Sequence, residues 1–270
     1  MTMDYAPQIR GNGYLARQEI ERLHAPLRCD STRLEPFGYK VYSQGDEDGI
    51  INEIFSRLNI EQGTFVEIGV ENGLECNTHL LLHKGWSGLW IEGNQNQAWN
   101  INTKFKTFTD NEQLKVGIAT VNKDNVNRLF SDYNIYDADL LSIDIDGMDI
   151  YVLDAIEIQP KVICIEYNAK WPPNVSRTPV YNPNFQWKGV TSDYMGSSLK
   201  AITDVAATKG YKLVGTTITG VNAFYVREDL IDDKFTSKNT VDYLYNPPRY
   251  WLIYDHFWHI GHGHDVGEYL

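Results

Sequence analysis

Apolar residues along the chain follow two spacings, one typical of amphipathic helices and one typical of buried strands. After the acidic residues 46–48, a helix is predicted because apolar side chains recur at helical spacing, at Ile50, Ile51, Ile54, Phe55 and Leu58. Short runs rich in β-branched residues follow, as expected of strands buried in a parallel sheet. The sequence places these strands at 64–69, 88–92, 115–121, 139–144 and 161–166.

Helical segments separate these five strands, and a pair of strands ends the pattern. The intervening helices are predicted at 77–83, 95–105, 124–130 and 150–156, and a further helix ends at Gly210. Strands at 211–217 and 222–226 then flank a short turn, which predicts an antiparallel pair. We therefore expect an α/β fold with a doubly wound (Rossmann-like), seven-stranded, mostly parallel sheet and a C-terminal antiparallel β-hairpin.

The chain divides into a central domain and two extensions. Residues 1–40 are an extension with one predicted helix, residues 41–230 form the domain, and residues 231–270 form an aromatic and His-rich C-terminal extension. The histidines of this last segment are His256, His259, His262 and His264. For them we expect a solvated tail or a cover over the site rather than zinc ligands, because no flanking cysteines or HExxH helix accompany them.

One long loop interrupts the domain at residues 169–196, and it is rich in Pro, Asn and aromatic residues. Loops of this length within compact domains are usually functional. Its aromatic rings either offer platforms to the ring of an acceptor molecule or only cover the edge of the sheet.

The amino-acid composition excludes several classes of binding partner. With 24 Lys and Arg against 36 Asp and Glu, the 270-residue chain carries a net charge of −12, which argues against broad nucleic-acid or anionic-membrane binding. Three cysteines without a CxxC pair predict neither a disulfide framework nor a cysteine zinc site. No apolar leader and no membrane-spanning run of about 20 residues is evident. We expect a cytoplasmic protein acting on a small molecule or glycan; a homo-oligomer stays open.

The clearest local motif is EIGVENG at 67–73, where the first predicted strand ends. Glycines there let the backbone turn sharply and approach a ligand closely. Glu92 ends the next strand, the place where such folds set an acid against ribose hydroxyls. The spacing is not GxGxxG, and an acid inside the strand disfavours a pyrophosphate but suits a ligand with an ammonium or sulfonium charge.

Together, the glycine turn, the acid of strand two and the final hairpin resemble the class I S-adenosylmethionine-dependent methyltransferases over residues 42–230. The segments 42–44, 140–147 and 162–166 are similar to the FkbM-type members, which modify hydroxyls of sugars and natural products. This chain differs from the usual strand-four pattern of that group by Ser142 in place of Lys and Asp146 in place of Glu.

The resemblance implies a cofactor site. The residues it places around S-adenosylmethionine are Tyr42, Gln44, Glu67, Gly69, Glu71, Gly73, Asn77, Thr78, Glu92 and Asp144. Among them, Glu92 is expected on the ribose, and Asn77 and Thr78 on the carboxylate of the cofactor. The adenine is expected near 120–122.

Acids also follow strands four and five. Asp144, Asp146 and Glu166 are the candidate bases that would take the proton of an acceptor hydroxyl. Asp144, Glu166 and Asn168 are a candidate ligand set for Mg²⁺ or Mn²⁺. In the alternative without metal, Asp144 contacts the cofactor, Asp146 caps a helix and Glu166 binds the acceptor.

The predicted function is an S-adenosylmethionine-dependent O-methyltransferase acting on a hydroxyl of a sugar, glycan or glycosylated natural product, with or without a divalent metal. Two alternatives stay open. One is a catalytically silent module of the same fold that binds the cofactor or a glycan, and the other is a nicotinamide-dependent sugar oxidoreductase, which the missing GxGxxG weakens. For His79 and His83 we expect a packing or surface role.

Overall fold

The computed structural model describes residues 6–252, and a seven-stranded sheet lies at its centre. The strands are β1 (Thr64–Ile68), β2 (Ser87–Glu92), β3 (Leu114–Ile118), β4 (Leu140–Ile143), β5 (Val162–Glu166), β6 (Tyr211–Thr216) and β7 (Asn222–Arg227). Their order across the sheet is β3-β2-β1-β4-β5-β7-β6. β7 pairs antiparallel with both β5 and β6, and the pairs among β1 to β5 are parallel. The predicted fold class is confirmed.

Helices cover both faces of this sheet. They are α1 (Ala6–His24), α2 (Glu47–Arg57), α3 (His79–His83), α4 (Gln95–Lys104), α5 (Lys106–Asp110), α6 (Val126–Asp132), α7 (Asp149–Ala155), α8 (Leu199–Thr208) and α9 (Val241–Leu244). None of the helices in the described part of the chain is long and apolar enough to cross a membrane.

The core is divided into two layers by the sheet. Because successive strand residues point to opposite faces, Phe65 packs in one apolar cluster with Trp90, while its neighbour Val66 packs in the other with Leu141. All four side chains are fully buried. The near-continuous apolar runs of the predicted strands follow from this burial on both faces.

Most element boundaries differ from the sequence prediction by one or two residues, and three differences near the cavity or beside β3 stand out. β3 ends at Ile118 instead of Val121, α3 begins at His79 instead of Asn77, and a separate helix α5 follows α4. The first two shifts occur at the carboxyl end of the sheet, where the chain leaves regular structure and lines a cavity.

Both predicted extensions meet the domain within the described residues. Arg57 of α2 donates hydrogen bonds to the carbonyl oxygens of Thr32 and Lys234, which ties segments before and after the domain to one side chain. Tyr167, after β5, donates to the carbonyl oxygen of Asn246 at 2.7 Å. The four C-terminal histidines lie outside the described residues.

Candidate active site

A cavity of about 810 Å³ lies at the carboxyl ends of β1, β2, β4 and β5. In this kind of sheet the strand order reverses between β1 and β4, and ligands bind beside such a reversal. Seven carboxylate side chains line the cavity: Glu67, Glu71, Glu75, Glu92, Asp144, Asp146 and Glu166. No Lys, Arg or His side chain within residues 6–252 lines it. The electrostatic character of the cavity therefore favours a cationic ligand.

The glycine turn forms the floor of the cavity. Gly69 has a φ of +83°, and a Cβ atom there would lie 1.6 Å from the carbonyl oxygen of Asp144. Gly73 has a φ of +76°, and a Cβ atom there would lie 2.7 Å from the ring of Trp90. Only glycine fits either position, because the backbone conformation and the neighbouring atoms both exclude a side chain.

Glu67 is held by the chain itself. Its carboxylate accepts the backbone N–H groups of Asn77 at 2.7 Å and Thr78 at 2.9 Å, and the Thr78 hydroxyl at 2.5 Å. These two N–H groups were predicted to bind a cofactor carboxylate, and the structure corrects this because Glu67 already occupies them. Burial raises the pKa of Glu67, and these donors oppose the shift.

Three predicted cofactor residues do not line the cavity, namely Gly73 of the turn, Thr78 and Tyr42. Thr78 is fully buried and accepts a hydrogen bond from the indole N–H of Trp90, so it supports the floor from behind. Tyr42 stacks on His79 of α3, with ring centroids 3.9 Å apart. The structure therefore gives Thr78 and Tyr42 packing roles, whereas Gln44 and Asn77 do line the cavity. For the two α3 histidines the structure shows stacking, as expected.

Glu92 reaches the cavity from the end of β2. Its two oxygens each accept one backbone N–H, from Glu71 and from Asn94, both at 2.7 Å. Each oxygen keeps a further acceptor site, so the carboxylate can still bind hydroxyl groups. Burial raises the pKa of Glu92. Thr120, Val121 and Asn122, the predicted adenine region, line the same end of the cavity.

An acidic cluster forms beyond β4 and β5. Asp144, Asp146 and Glu166 each offer one oxygen, and these oxygens lie within 4.8 Å of one another. Asp149 shapes the loop that carries Asp146, because its carboxylate accepts the N–H groups of Ile145 and Gly147, both at 2.8 Å. Burial, and then repulsion from neighbouring carboxylates, raises the pKa values of Asp144 and Glu166 well above their usual range.

Asn168 does not join this cluster. Its amide nitrogen donates to the carbonyl oxygen of Asp193 at 3.0 Å, and its amide oxygen accepts the backbone N–H of Lys170 at 3.1 Å. Its side chain is fully buried and does not line the cavity. The predicted ligand set is corrected on this geometry, because Asp146, and not Asn168, lies beside Asp144 and Glu166.

Sequence reasoning missed Asn222 of β7. Asn222 lies directly opposite Glu166 in the antiparallel ladder and also lines the cavity. Asn222 Oδ1 and Glu166 Oε2 are both buried and have no hydrogen-bond partner among the described residues. The only signal in the sequence was a polar residue at the start of an otherwise apolar strand, and the pairing with Glu166 requires the sheet register.

The long loop supplies an aromatic wall. Phe185 and Trp187 line the cavity, and the ring of Phe185 lies so close to Gly147 that a Cβ atom there would meet it at 2.4 Å. The Tyr181 hydroxyl donates to Asp124 at 2.9 Å, near the start of α6. The loop therefore spans from the acidic cluster toward the region after β3.

Comparisons with known proteins find likeness in structure only. No protein-family model and no curated protein sequence matches the chain. A candidate caffeoyl-CoA O-methyltransferase from Staphylococcus aureus superposes with a TM-score of 0.47 and 15% identity, covering 77% of this chain and 91% of that one. The N-terminal domain of EvdMO1, crystallised with SAH and D-fucose, superposes with a TM-score of 0.44 and 13% identity, covering 78% of this chain and 96% of that one.

A third similar structure is an S-adenosylmethionine-dependent methyltransferase from Clostridium acetobutylicum. Its TM-score is 0.43 at 10% identity, with 79% of this chain and 98% of that chain covered. The fold is identified from the strand order and the strand directions of the sheet itself. With six parallel strands and β7 inserted antiparallel between β5 and β6, the chain has the class I S-adenosylmethionine-dependent methyltransferase fold.

Proposed function

We propose that the protein is an S-adenosylmethionine-dependent O-methyltransferase that acts on a hydroxyl of a sugar, glycan or glycosylated natural product. The observation that carries this proposal is the cavity at the strand-order reversal, which seven carboxylates line and no cationic side chain of the described residues enters. A sulfonium cofactor gains from that field, whereas the pyrophosphate of a nicotinamide dinucleotide is repelled by it.

The residues present fit the cofactor. Glu92 faces the cavity with acceptor capacity left on both oxygens, which suits the two hydroxyls of a ribose. The backbone of the Gly69 turn lets the methionine part approach the ends of β1 and β4. A volume of about 810 Å³ also lies within the range of ligand sites, roughly 300–1,000 Å³, and leaves room for a second molecule.

We place the acceptor molecule on the side of the cavity that is formed by the loop 169–196 and the acidic cluster. Phe185, Trp187 and Met195 offer a flat, partly apolar wall that suits the face of a sugar ring. When bound, S-adenosylmethionine supplies the methyl group on its sulfonium. The acceptor oxygen would take this methyl group as the C–S bond breaks, and a carboxylate of Asp144, Asp146 or Glu166 would accept the hydroxyl proton.

Raised pKa values support that role for the acids. A base works best when its pKa lies near the operating pH, and burial and mutual repulsion shift Asp144 and Glu166 upward. A divalent cation held by the same cluster would acidify the bound hydroxyl.

The first test is isothermal titration of the protein with S-adenosylhomocysteine and S-adenosylmethionine, with NADH as the control ligand. We expect dissociation constants in the micromolar range for the first two and no binding of NADH. Glu92→Ala should weaken binding about tenfold or more, which is about 1.4 kcal/mol or more. The matched control is Glu75→Ala, which removes an exposed carboxylate of the same cavity that pairs with Lys40, and it should change affinity less than threefold.

Transfer itself is tested separately with methyl-labelled S-adenosylmethionine and a panel of free sugars, glycosides and glycosylated aromatic compounds. Label in an alkali-stable ether is the expected product. Cofactor affinity without label in any acceptor would favour the silent binding module, and binding of NADH alone would overturn the proposed cofactor.

A further inference from the structure

We propose that Asn222 supplies the amide oxygen of a divalent-cation site whose other ligands are Asp144, Asp146 and Glu166, and that Glu47 aims this amide. The inference deepens the proposed function and rests on it for the use of the cation in catalysis. Cation binding itself is measured independently of S-adenosylmethionine.

Asn222 and Glu166 face the same space. They are directly opposed in the antiparallel pair of β5 and β7, and side chains at opposed positions lie on one face of the sheet, about 5 Å apart at Cβ. Both line the cavity, with 3% of Asn222 and 9% of Glu166 exposed. The orphaned oxygens Asn222 Oδ1 and Glu166 Oε2 therefore belong to one corner of the cavity.

The orientation of the Asn222 amide is fixed by Glu47. Asn222 Nδ2 donates to Glu47 Oε1 at 3.0 Å, and both Glu47 oxygens act as hydrogen-bond acceptors. The amide nitrogen must therefore face Glu47, and Oδ1 must face away from it. Glu47 is fully buried, and its other oxygen accepts the Gly45 N–H at 2.7 Å, so it is itself held in place.

A buried acceptor without a donor is costly, about 1–3 kcal/mol, and two in one corner call for a ligand. The charge of the surrounding residues indicates which kind of ligand this is. Asp144, Asp146 and Glu166 together carry up to three negative charges, and no Lys, Arg or His of residues 6–252 lines the cavity. One ammonium group would leave two charges uncompensated, whereas a divalent cation leaves one. Mg²⁺ and Mn²⁺ also prefer carboxylate and amide oxygens, completed by water.

The contrast with Asn168 supports the choice of amide. Asn168 bonds Asp193 and Lys170 within the chain, and its fully buried side chain does not line the cavity, so its amide oxygen does not face the acidic cluster. The ligand after β5 that the sequence suggested is thus replaced by one from the neighbouring antiparallel strand.

The experiment is a titration of the full chain with Mn²⁺, followed by calorimetry and by the electron paramagnetic resonance signal of free Mn²⁺. Asn222→Ala should weaken Mn²⁺ binding tenfold or more. Asn182→Ala is the matched control, because it removes an exposed amide that lines the same cavity, and it should change the affinity less than threefold. Equal affinities of wild type and Asn222→Ala, or no Mn²⁺ binding by the wild type at millimolar concentration, would overturn the proposal.

Exchanging the carboxylate of Glu47 and the amide of Asn222 tests whether Glu47 sets the orientation of the Asn222 amide without an effect on stability. In Glu47→Gln, Oε1 keeps the Gly45 N–H and Nε2 becomes a donor, so the Asn222 amide turns its oxygen to Gln and its nitrogen to the cavity. We expect the melting temperature to stay within about 2 °C while Mn²⁺ binding weakens tenfold or more. Glu47→Gln with Asn222→Asp restores an oxygen in the cavity and every hydrogen bond of the pair, so Mn²⁺ affinity should return to the wild-type level or above.

A purely structural role for the pair predicts the opposite pattern, with melting temperatures that change and Mn²⁺ affinities that do not. S-adenosylhomocysteine is titrated alongside each variant. Loss of Mn²⁺ binding with retained S-adenosylhomocysteine binding concerns the cation site alone, and failure of the wild type to bind S-adenosylhomocysteine concerns the proposed function alone.

Discussion

Glu67 and Glu166 are both buried glutamates at the carboxyl ends of central strands, yet the chain treats them in opposite ways. The carboxylate of Glu67 accepts three hydrogen bonds from Asn77 and Thr78. Glu166 Oε2 has no partner among the described residues, and its nearest neighbours in the cluster are the like-charged Asp144 and Asp146. The same residue type is saturated by the chain's own donors at β1 and keeps an unpartnered oxygen at β5.

The difference teaches how to separate structural acids from binding acids in one cavity. A buried acceptor whose oxygens are filled by the chain stabilises the fold, while an orphaned one destabilises it and implies that something else completes the site. Substitutions at the two ends should therefore move stability and ligand binding in different proportions.

The largest effect is expected where the two regions touch. In Gly69→Ala the new Cβ would collide with the Asp144 carbonyl oxygen, and the free energy of unfolding should fall by more than about 4 kcal/mol. Gly210→Ala is the control, because Gly210 has the same φ of +83° but no atom within 4 Å of the added Cβ. It should lose only about 1 kcal/mol from backbone strain in urea denaturation. Equal losses would show that the contact with Asp144 is unimportant.

The second largest effect is expected for Glu67→Ala, which should lower the free energy of unfolding by about 3 kcal/mol. It leaves the backbone N–H groups of Asn77 and Thr78 buried without partners, just before α3. Urea denaturation gives the value, and Glu67→Gln, which keeps one acceptor oxygen, should lose less. A change under 1 kcal/mol for Glu67→Ala would remove the structural half of the comparison.

His79 offers a further test on the Glu67 side of the comparison. It is the first residue of α3, directly after the N–H groups of Asn77 and Thr78 that Glu67 accepts. Burial lowers the pKa of His79 to about 4, below the value near 6.5 expected in the unfolded chain. Keeping His79 neutral therefore costs the folded state nothing above pH 6.5. As the pH falls from 6.5 toward 4, the unfolded chain binds this proton first, and the free energy of unfolding falls by about 2 kcal/mol. His79→Phe should flatten this acid dependence in denaturation at pH 7, 5.5 and 4. His83→Phe, an exposed position on the next turn, should leave it as in the wild type; an equal flattening there would contradict the assignment.

Glu166→Gln should change stability least, by less than about 1 kcal/mol in either direction, because no donor is abandoned and one of three clustered charges is removed. The same substitution should lower Mn²⁺ affinity tenfold or more. Thermal unfolding and Mn²⁺ titration of one preparation give both numbers. A loss of several kcal/mol would place Glu166 with Glu67 among the structural acids.

The positions of residues at strand ends explain which cavity-lining residues could be singled out from the sequence. The turn at 67–73 and the acids at 92, 144, 146 and 166 lie at or just beyond the carboxyl end of a strand, and parallel strands bring these ends to one edge of the sheet. Sequence reasoning failed for Thr78 and Asn168, whose polar groups form hydrogen bonds within the chain, and for Tyr42, whose ring stacks on His79. Hydrogen-bond partners of this kind are set by tertiary packing and have no local signature.

The sequence by itself determined the alternation of strands and helices, the direction of the last strand and the acidic edge of the sheet, because apolar spacing and strand-end position are local properties. Only the tertiary structure decided which acids are saturated and which are free. It also brought Asn222 opposite Glu166 and Glu47 behind Asn222, across 56 and 175 residues of chain. Register and packing create these contacts between distant segments, and no spacing along the chain records them.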